Sequence, residues 1–562
     1  MRIGNASGFY GDRASAWREM LDGGELDVLT GDYLAELTML ILGRDRMKDP
    51  ATGYAKTFLR QLEDVLATAL ERGTKLVTNA GGLNPAGLAN AVEDLAARLG
   101  LRVRVGHVTG DDVTERFGGR VLTANAYLGA FGIAECLNEG ADIVVTGRVT
   151  DASLVVGPAV AHFGWTRDDL DALAGATVAG HILECGAQAT GGNFAFFTEL
   201  PDGGRRPGFP LAELRADGSA VITKHPGTGG AVTVETVTAQ LLYEIGAPAY
   251  LGPDVVAHFD TVELRDDGPD RVLVRGTRGS LPPPTVKVGV NTPGGFRNSM
   301  TFVLCGLQIE QKAALVRDQL AAAVGGDGLE FVLARTDRPD AADEQTASAL
   351  LVVHLKSQDP KRAGRAFSQA AVELALGSYP GLTLTGPPGD ATPFGVFSAR
   401  FVPHEAVEHV AVLPDGTRRP IAPPAKTADR PPATSPEVGS YRGPTTKAPF
   451  GTLFGARSGD KGGDANIGVW ARDDAGYAWL RGFGVDDLKA LLPETRDLAV
   501  ERFELPNLRA VNFVVHGILG EGVAASTRFD PQGKALGEWL RSRVVDLPSE
   551  LLPRGRSEAG AV

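Results

Sequence analysis

Over the first 250 residues, short uninterrupted apolar runs alternate with longer stretches whose apolar residues recur every three or four positions. Residues 26–30 form one such run, closed by Gly31-Asp32-Tyr33 and followed by an amphipathic stretch over 34–42. Residues 75–77 run into Thr78-Asn79-Ala80-Gly81-Gly82-Leu83-Asn84-Pro85, ahead of a helical pattern over 86–99. A proline suits that first turn, whose N–H groups have no intrahelical acceptor. Residues 141–145 run into Thr146-Gly147-Arg148-Val149-Thr150-Asp151, ahead of a helix over 152–163. Strands apolar on both faces, each followed by a helix, predict a parallel sheet covered on both sides.

From residue 251 the pattern changes. Strand-like runs at 260–264, 271–275 and 285–290 precede a helical run over 309–324, strands near 330–335 and 349–355, and a helix over 360–376. Between 413 and 447 prolines crowd, Pro420, Pro423, Pro424, Pro431, Pro432, Pro436 and Pro444 among them. Such a segment builds neither helix interior nor sheet ladder and reads as a linker. Beyond it lie strands at 450–456, 467–471, 498–505, 509–516 and 522–526, with helices at 485–492 and 533–544. That order predicts a small antiparallel sheet backed by two helices. The divisions expected are an α/β core (1–250), an α+β region (251–412), the linker (413–447), the small domain (448–548) and a frayed tail (549–562).

Composition narrows the function. A chain of 562 residues exceeds what one hydrophobic core serves, so several domains are expected. The net charge of −13 disfavours phosphodiester backbones and anionic lipid surfaces, and no apolar stretch reaches spanning length. Cys136, Cys185 and Cys305 match neither a disulfide framework nor a metal knuckle. A cytoplasmic protein handling a small molecule is the expectation, without nucleic-acid or membrane partners.

Several segments, taken in order, resemble the acyclic terpene utilisation (AtuA-type) family. They are Ile3-Gly4-Asn5-Ala6-Ser7-Gly8-Phe9-Tyr10-Gly11-Asp12, Thr30-Gly31-Asp32-Tyr33-Leu34-Ala35-Glu36, the Thr78–Pro85 and Val145–Asp151 segments, and Gly180-His181-Ile182-Leu183-Glu184-Cys185. The last is Ala456-Arg457-Ser458-Gly459-Asp460-Lys461-Gly462-Gly463-Asp464-Ala465-Asn466. The resemblance implies a large N-terminal domain and a C-terminal domain of ferredoxin-like fold. It also implies a setting in branched acyl-chain catabolism, where substrates travel as coenzyme A thioesters. No catalytic residue carries over from it.

The chemistry is therefore read from the residues. In open parallel sheets, ligands bind beyond the carboxyl ends of the strands. Asp32, Asn79, Arg148 and Asp151 should line that crevice, with the Gly81 and Gly82 amides and Asn79 as oxyanion donors. On a helix, His181, Glu184, Cys185 and Gln188 would share one face, giving a proton-transfer pair and a thiol. Glu184 or Asp151 is expected as the base and His181 as the acid. Lys224 stands in a glycine-rich turn that lacks phosphate-loop spacing. Arg457, Asp460, Lys461, Asp464 and Asn466 form the densest polar cluster, fit for a loop docking onto the crevice. No cofactor and no resident metal are expected beyond the coenzyme A carried by a substrate, with Mg²⁺ at Asp32 and Asp151 as the one alternative. The chain reads as a lyase or isomerase doing proton transfer on an acyl-CoA or carboxylate, and as a homo-oligomer. The rivals are a Cys185-dependent transferase or hydrolase, and a non-catalytic subunit of an acyl-CoA carboxylase system.

Overall fold

The computed structural model describes residues 1–430, 439, 441 and 443–553. It divides into two compact units, one of residues 1–291, 397–523 and 530–562, the other of residues 292–396 and 524–529. The division falls inside the strand Thr285–Cys305, not at residue 250 as the hydrophobic pattern suggested.

The first unit is built on an eleven-stranded sheet whose centre is parallel. Arg2–Asn5, Val28–Gly31, Lys75–Thr78, Ile143–Thr146 and Val105–Thr109 lie side by side in that order, all pointing the same way. Antiparallel strands flank this centre, Pro210–Leu214 on one side and Val410–Val412 on the other. Successive strand residues serve opposite faces, and the sheet has a core on each. Leu29, Leu76 and Ile143 pack under the helices Ala16–Gly23, Lys56–Arg72 and Pro85–Arg98. Val28, Val77 and Val144 pack under Phe131–Asn138, Ser153–Phe163 and Leu170–Glu184. Full burial on both faces explains why these strands are apolar throughout. Pro85 opens its helix as expected, and the side chain of Asn84 caps it by accepting from the Gly87 N–H at 2.9 Å.

The proline-rich segment is not wholly a linker, since Arg418–Pro420 pairs with Val410–Val412 at the sheet edge. Residues 431–438, 440 and 442 of that segment, and tail residues 554–562, lie outside the described residues.

The C-terminal block also belongs to the first unit. Phe454–Lys461, Asp464–Ala471, Ala510–Val515 and Val500–Leu505 form an antiparallel sheet in that spatial order. The helices Asp474–Leu480, Val485–Leu491 and Leu536–Ser542 accompany it, one more than the pattern predicted. Phe454, Phe513, Leu488 and Leu540 are among its buried residues. A ribbon of Thr445–Pro449 with Val544–Pro548 was not foreseen. Residues 522–526, read as a strand, lie outside any strand and contribute to the second unit from 524 on.

That second unit is an α+β body. Ser348–Ser357 pairs on one side with residues 296–305 and on the other with Leu329–Ala334. The helices Ile309–Val324 and Phe367–Glu373 bury Val316, Leu320 and Phe367 with Phe302, Leu351 and Val353.

Candidate active site

Four sequence-predicted residues meet beyond the carboxyl ends of the parallel strands. Asp32 follows Val28–Gly31 directly, Asn79 follows Lys75–Thr78, and Arg148 stands two residues past Ile143–Thr146. Asn79 Nδ2 donates to Asp32 Oδ1 at 2.6 Å, while its Oδ1 accepts the Tyr33 N–H at 2.7 Å. Arg148 donates to Asp151 Oδ1 at 2.8 Å and to the Leu34 carbonyl at 3.0 Å, and its guanidinium lies 4.1 Å from the Tyr127 ring centroid. Burial, then the charge of Asp151, pushes the Asp32 carboxyl well above its usual range, against Arg148 and Asn79.

The helix Leu170–Glu184 brings a second group to this place. His181 Nδ1 lies 3.0 Å from Glu184 Oε1, and the imidazole packs against the stacked rings of Tyr250 and Phe259, each centroid at 5.3 Å. Burial lowers His181 to about 4, with Lys461 acting in the same sense. Burial raises Glu184 well above its usual value, reinforced by Asp151 and Glu244. Burial thus favours the neutral form of both members, the imidazole and the carboxylic acid. The direction of these shifts favours the proton on Glu184, the opposite order to the base and acid expected from spacing. Cys185 caps the helix, and burial with the carboxylates Glu184, Glu244 and Asp32 holds its thiol well above the usual range. A protonated thiol is a poor nucleophile. Gln188 lies beyond the helix, in the short turn Gly186–Thr190, so the expected four-residue face is broken at Cys185.

The third contribution comes from the C-terminal hairpin of Phe454–Lys461 and Asp464–Ala471. Lys461 Nζ donates to the main-chain oxygen of Glu244 at 2.7 Å, and Arg457 donates to Gln188 while lying 4.3 Å from the Tyr243 ring centroid. Asn466 ties the hairpin down: its Oδ1 accepts the Glu244 N–H at 2.9 Å and its Nδ2 donates to the Leu242 carbonyl at 2.7 Å. Two glycines make the close approach feasible. A Cβ on Gly459 would lie 2.5 Å from Tyr243 Cε2, and one on Gly468 would lie 2.6 Å from Leu242 Cβ.

Glu36, Tyr127, Glu244, Tyr250 and Lys287 also face the cluster, and sequence reading missed them. Their charges or rings act on Asp460, Lys461, Arg148 or Glu184. Glu244 has a φ of 53°, left-handed for a residue with a side chain, a conformation that persists only where the surroundings impose it. Lys461 is exposed, and the Asp151 and Lys287 side chains keep 29% and 33% of their accessibility. The cluster is thus reached by solvent at Lys461, Asp151 and Lys287.

Other predicted residues have different partners. Lys224 pairs with Asp270 at 3.0 Å and donates to the Thr228 carbonyl at 2.7 Å. Asp464 accepts from the Gly517 N–H at 2.8 Å and lies 2.9 Å from His516 Nδ1. The Gly82 N–H is used within its own turn, donating to the Asn79 carbonyl at 3.1 Å, and Gly81 is packed against the Thr146 carbonyl and Pro85. Mg²⁺ at Asp32 and Asp151 would have to displace the Arg148 guanidinium and the Asn79 amide. Among the described residues no three His, Cys, Asp or Glu side chains are placed to hold a metal ion, and no helix is long and apolar enough to cross a membrane.

Against this geometry, the family model described as acyclic terpene utilisation family protein AtuA matches residues 1–413. The chain belongs to the acyclic terpene utilisation family. The AtuA ferredoxin-like domain matches residues 449–546, the four-stranded block that carries the hairpin. No curated protein matches the chain. The crevice of this AtuA-family protein thus joins side chains from both family domains.

Asp460 gives a pH test of that junction. Burial, then Glu244 and Glu36, raises its carboxyl to about 8. The folded chain therefore holds a proton that the unfolded chain releases near pH ~4. More protons in the folded state mean that stability falls as pH rises from about 4 to about 8, with no further loss above. Asp460→Asn should remove that slope and raise the melting temperature at pH 8, leaving pH 4 unchanged. Parallel melting curves against pH in the variant and the parent would refute the assignment.

Proposed function

We propose that the crevice is the active site of a cofactor-independent proton-transfer enzyme, an isomerase, hydratase or lyase, acting on an acyl-CoA thioester or related carboxylate. The observation that carries this reading is His181 Nδ1 standing 3.0 Å from Glu184 Oε1, the imidazole lowered and the carboxyl raised by burial, beside Asp151 paired with Arg148. Environments that push neighbouring titratable groups apart supply an acid and a base at one pH. Asp151 takes the proton from the carbon next to the substrate carbonyl. The Glu184 O–H donates to the carbonyl oxygen as negative charge develops there, and His181 stands behind it to exchange the proton. Membership of a family described by acyclic terpene utilisation suits a branched acyl substrate. The three cysteines are unpaired, in keeping with a cytoplasmic setting. The raised Cys185 thiol favours proton transfer over thiol-based acyl transfer.

Mass spectrometry of branched acyl-CoA thioesters and their free acids, incubated with the protein in deuterated water, tests the reading. Deuterium uptake or water addition is expected with the parent chain, falling by about 10²–10⁴-fold in Glu184→Gln, the usual contribution of a positioned acid or base. If every compound returns unchanged relative to a no-protein control, the proposal fails, and a binding subunit becomes the better reading.

A further inference from the structure

Two ammonium groups in the recess are loosely partnered, Lys287 by one carboxylate at ion-pair distance and Lys461 by none. Lys287 Nζ lies 3.7 Å from Glu36 Oε1, beyond hydrogen-bond distance, and otherwise faces rings: the centroids of Tyr127 at 4.6 Å and Phe397 at 5.8 Å. Lys461 Nζ gives one hydrogen bond, to a main-chain oxygen, and has no carboxylate oxygen within ion-pair distance among the described residues. Its other neighbour is the Tyr250 ring, with the centroid 5.7 Å away. Phe397 joins the two lysines. The Cβ position of Gly462, next to Lys461, lies 3.4 Å from the Phe397 ring that Lys287 faces.

Like charges brought together with spare N–H donors are relieved by an anion between them. The two ammonium charges act on each other. The size and charge of the anion follow from the other walls. Glu36, Glu184 and Asp460 are all pushed up toward their neutral, proton-bearing forms, and the Glu244 charge acts on Lys461 from the same side. Carboxylic acids donate well to a single carboxylate, whereas a dianion would meet Glu244 and Asp151 as well. Tyr127, Tyr250 and Phe397 offer apolar faces for a short branched chain.

We propose that Lys287 and Lys461, one from each family domain, bind a free carboxylate of the substrate. The substrate is then a branched acid, or an acyl thioester that bears a second, free carboxyl group. This deepens the proton-transfer reading of the same crevice and rests on it for the reacting end.

Titration calorimetry on the full chain at pH 7 tests it with isovalerate, the monomethyl ester of 3-methylglutarate, isovaleramide and inorganic phosphate as probes. The two carboxylates should bind at least tenfold more tightly than the amide or phosphate. Lys287→Met and Lys461→Met should each weaken carboxylate binding tenfold or more. The subsite is overturned if the amide matches the acid, if phosphate binds better than either carboxylate, or if both variants bind as the parent does. Should a methionine variant fail to fold, the comparison of acid with amide on the parent chain decides alone. Carboxylate binding without deuterium exchange would sink the catalytic reading and leave the subsite standing. Exchange that is indifferent to both lysines would do the reverse.

Discussion

Arg148→Met should cost about 3–5 kcal/mol of folding stability at neutral pH, the usual penalty for stripping a buried ion pair of one partner. The guanidinium keeps only 5% of its accessibility, and it serves three neighbours at once. It pairs with Asp151, satisfies the Leu34 carbonyl and lies over the Tyr127 ring. It also opposes the raising of Asp32. Methionine fills much of the volume but leaves two neighbouring carboxylates without their cation. The sign of the pH dependence separates this from a packing defect. Without Arg148 the Asp32 carboxyl, already raised in the folded chain, loses the cation that opposes the raising. The variant then loses stability as pH rises, and its deficit shrinks toward about pH 4, where both states are protonated. Arg148→Lys keeps the charge, loses the fork, and should fall between the two. Urea unfolding at pH 4.5 and pH 7.5 is the measurement. A methionine variant within 1 kcal/mol of the parent at pH 7.5, roughly the worth of an exposed pair, would remove Arg148 from the centre of the cluster.

How far the site was legible follows from where its residues sit in the chain. Asp32, Asn79 and Arg148 stand where an apolar run meets a glycine-rich turn, and such punctuation is local. A parallel strand must end there, and its carboxyl end is where a ligand can approach. Glu36 and Lys287 carry no such mark. One opens a helix and the other lies in a long strand, each looking like an ordinary solvated charge. Glu244 adopts its left-handed backbone because the hairpin holds it, so nothing nearby in the sequence announces it. The dense Arg457–Asn466 cluster was visible, yet its composition did not separate Lys461, which enters the recess, from Asp464, which turns to His516. The roles of His181 and Glu184 lay out of reach for a different reason. Spacing shows that two groups meet, but burial decides which of them holds the proton. The division inside Thr285–Cys305 was hidden because one continuous strand serves both units, leaving no break in the pattern.

Gly459→Val should abolish deuterium exchange, by 100-fold or more, without unfolding the ferredoxin-like domain. Gly459 pairs with Asn466 across the hairpin, and its missing side chain is what lets the strand rest on the 242–244 turn. A Cβ there would sit 2.5 Å from Tyr243 Cε2 and 2.7 Å from Glu244 Cγ, closer than carbon atoms tolerate. Tyr243 is only 2% exposed, so it has little room to yield, and the hairpin must lift instead. Lifting breaks the Lys461 bond to Glu244 and the Asn466 bonds to Leu242 and Glu244. The overpacking itself costs about 1–3 kcal/mol, less than a whole domain's stability. The buried aromatic core of the C-terminal block does not include residue 459, so its circular dichroism should persist. Gly386→Val is the control, since a Cβ there meets nothing within 4 Å and the backbone is not left-handed. If Gly459→Val exchanged deuterium and bound carboxylate as the parent does, the crevice would need nothing from the C-terminal domain, and Lys461 would lose its place in the site.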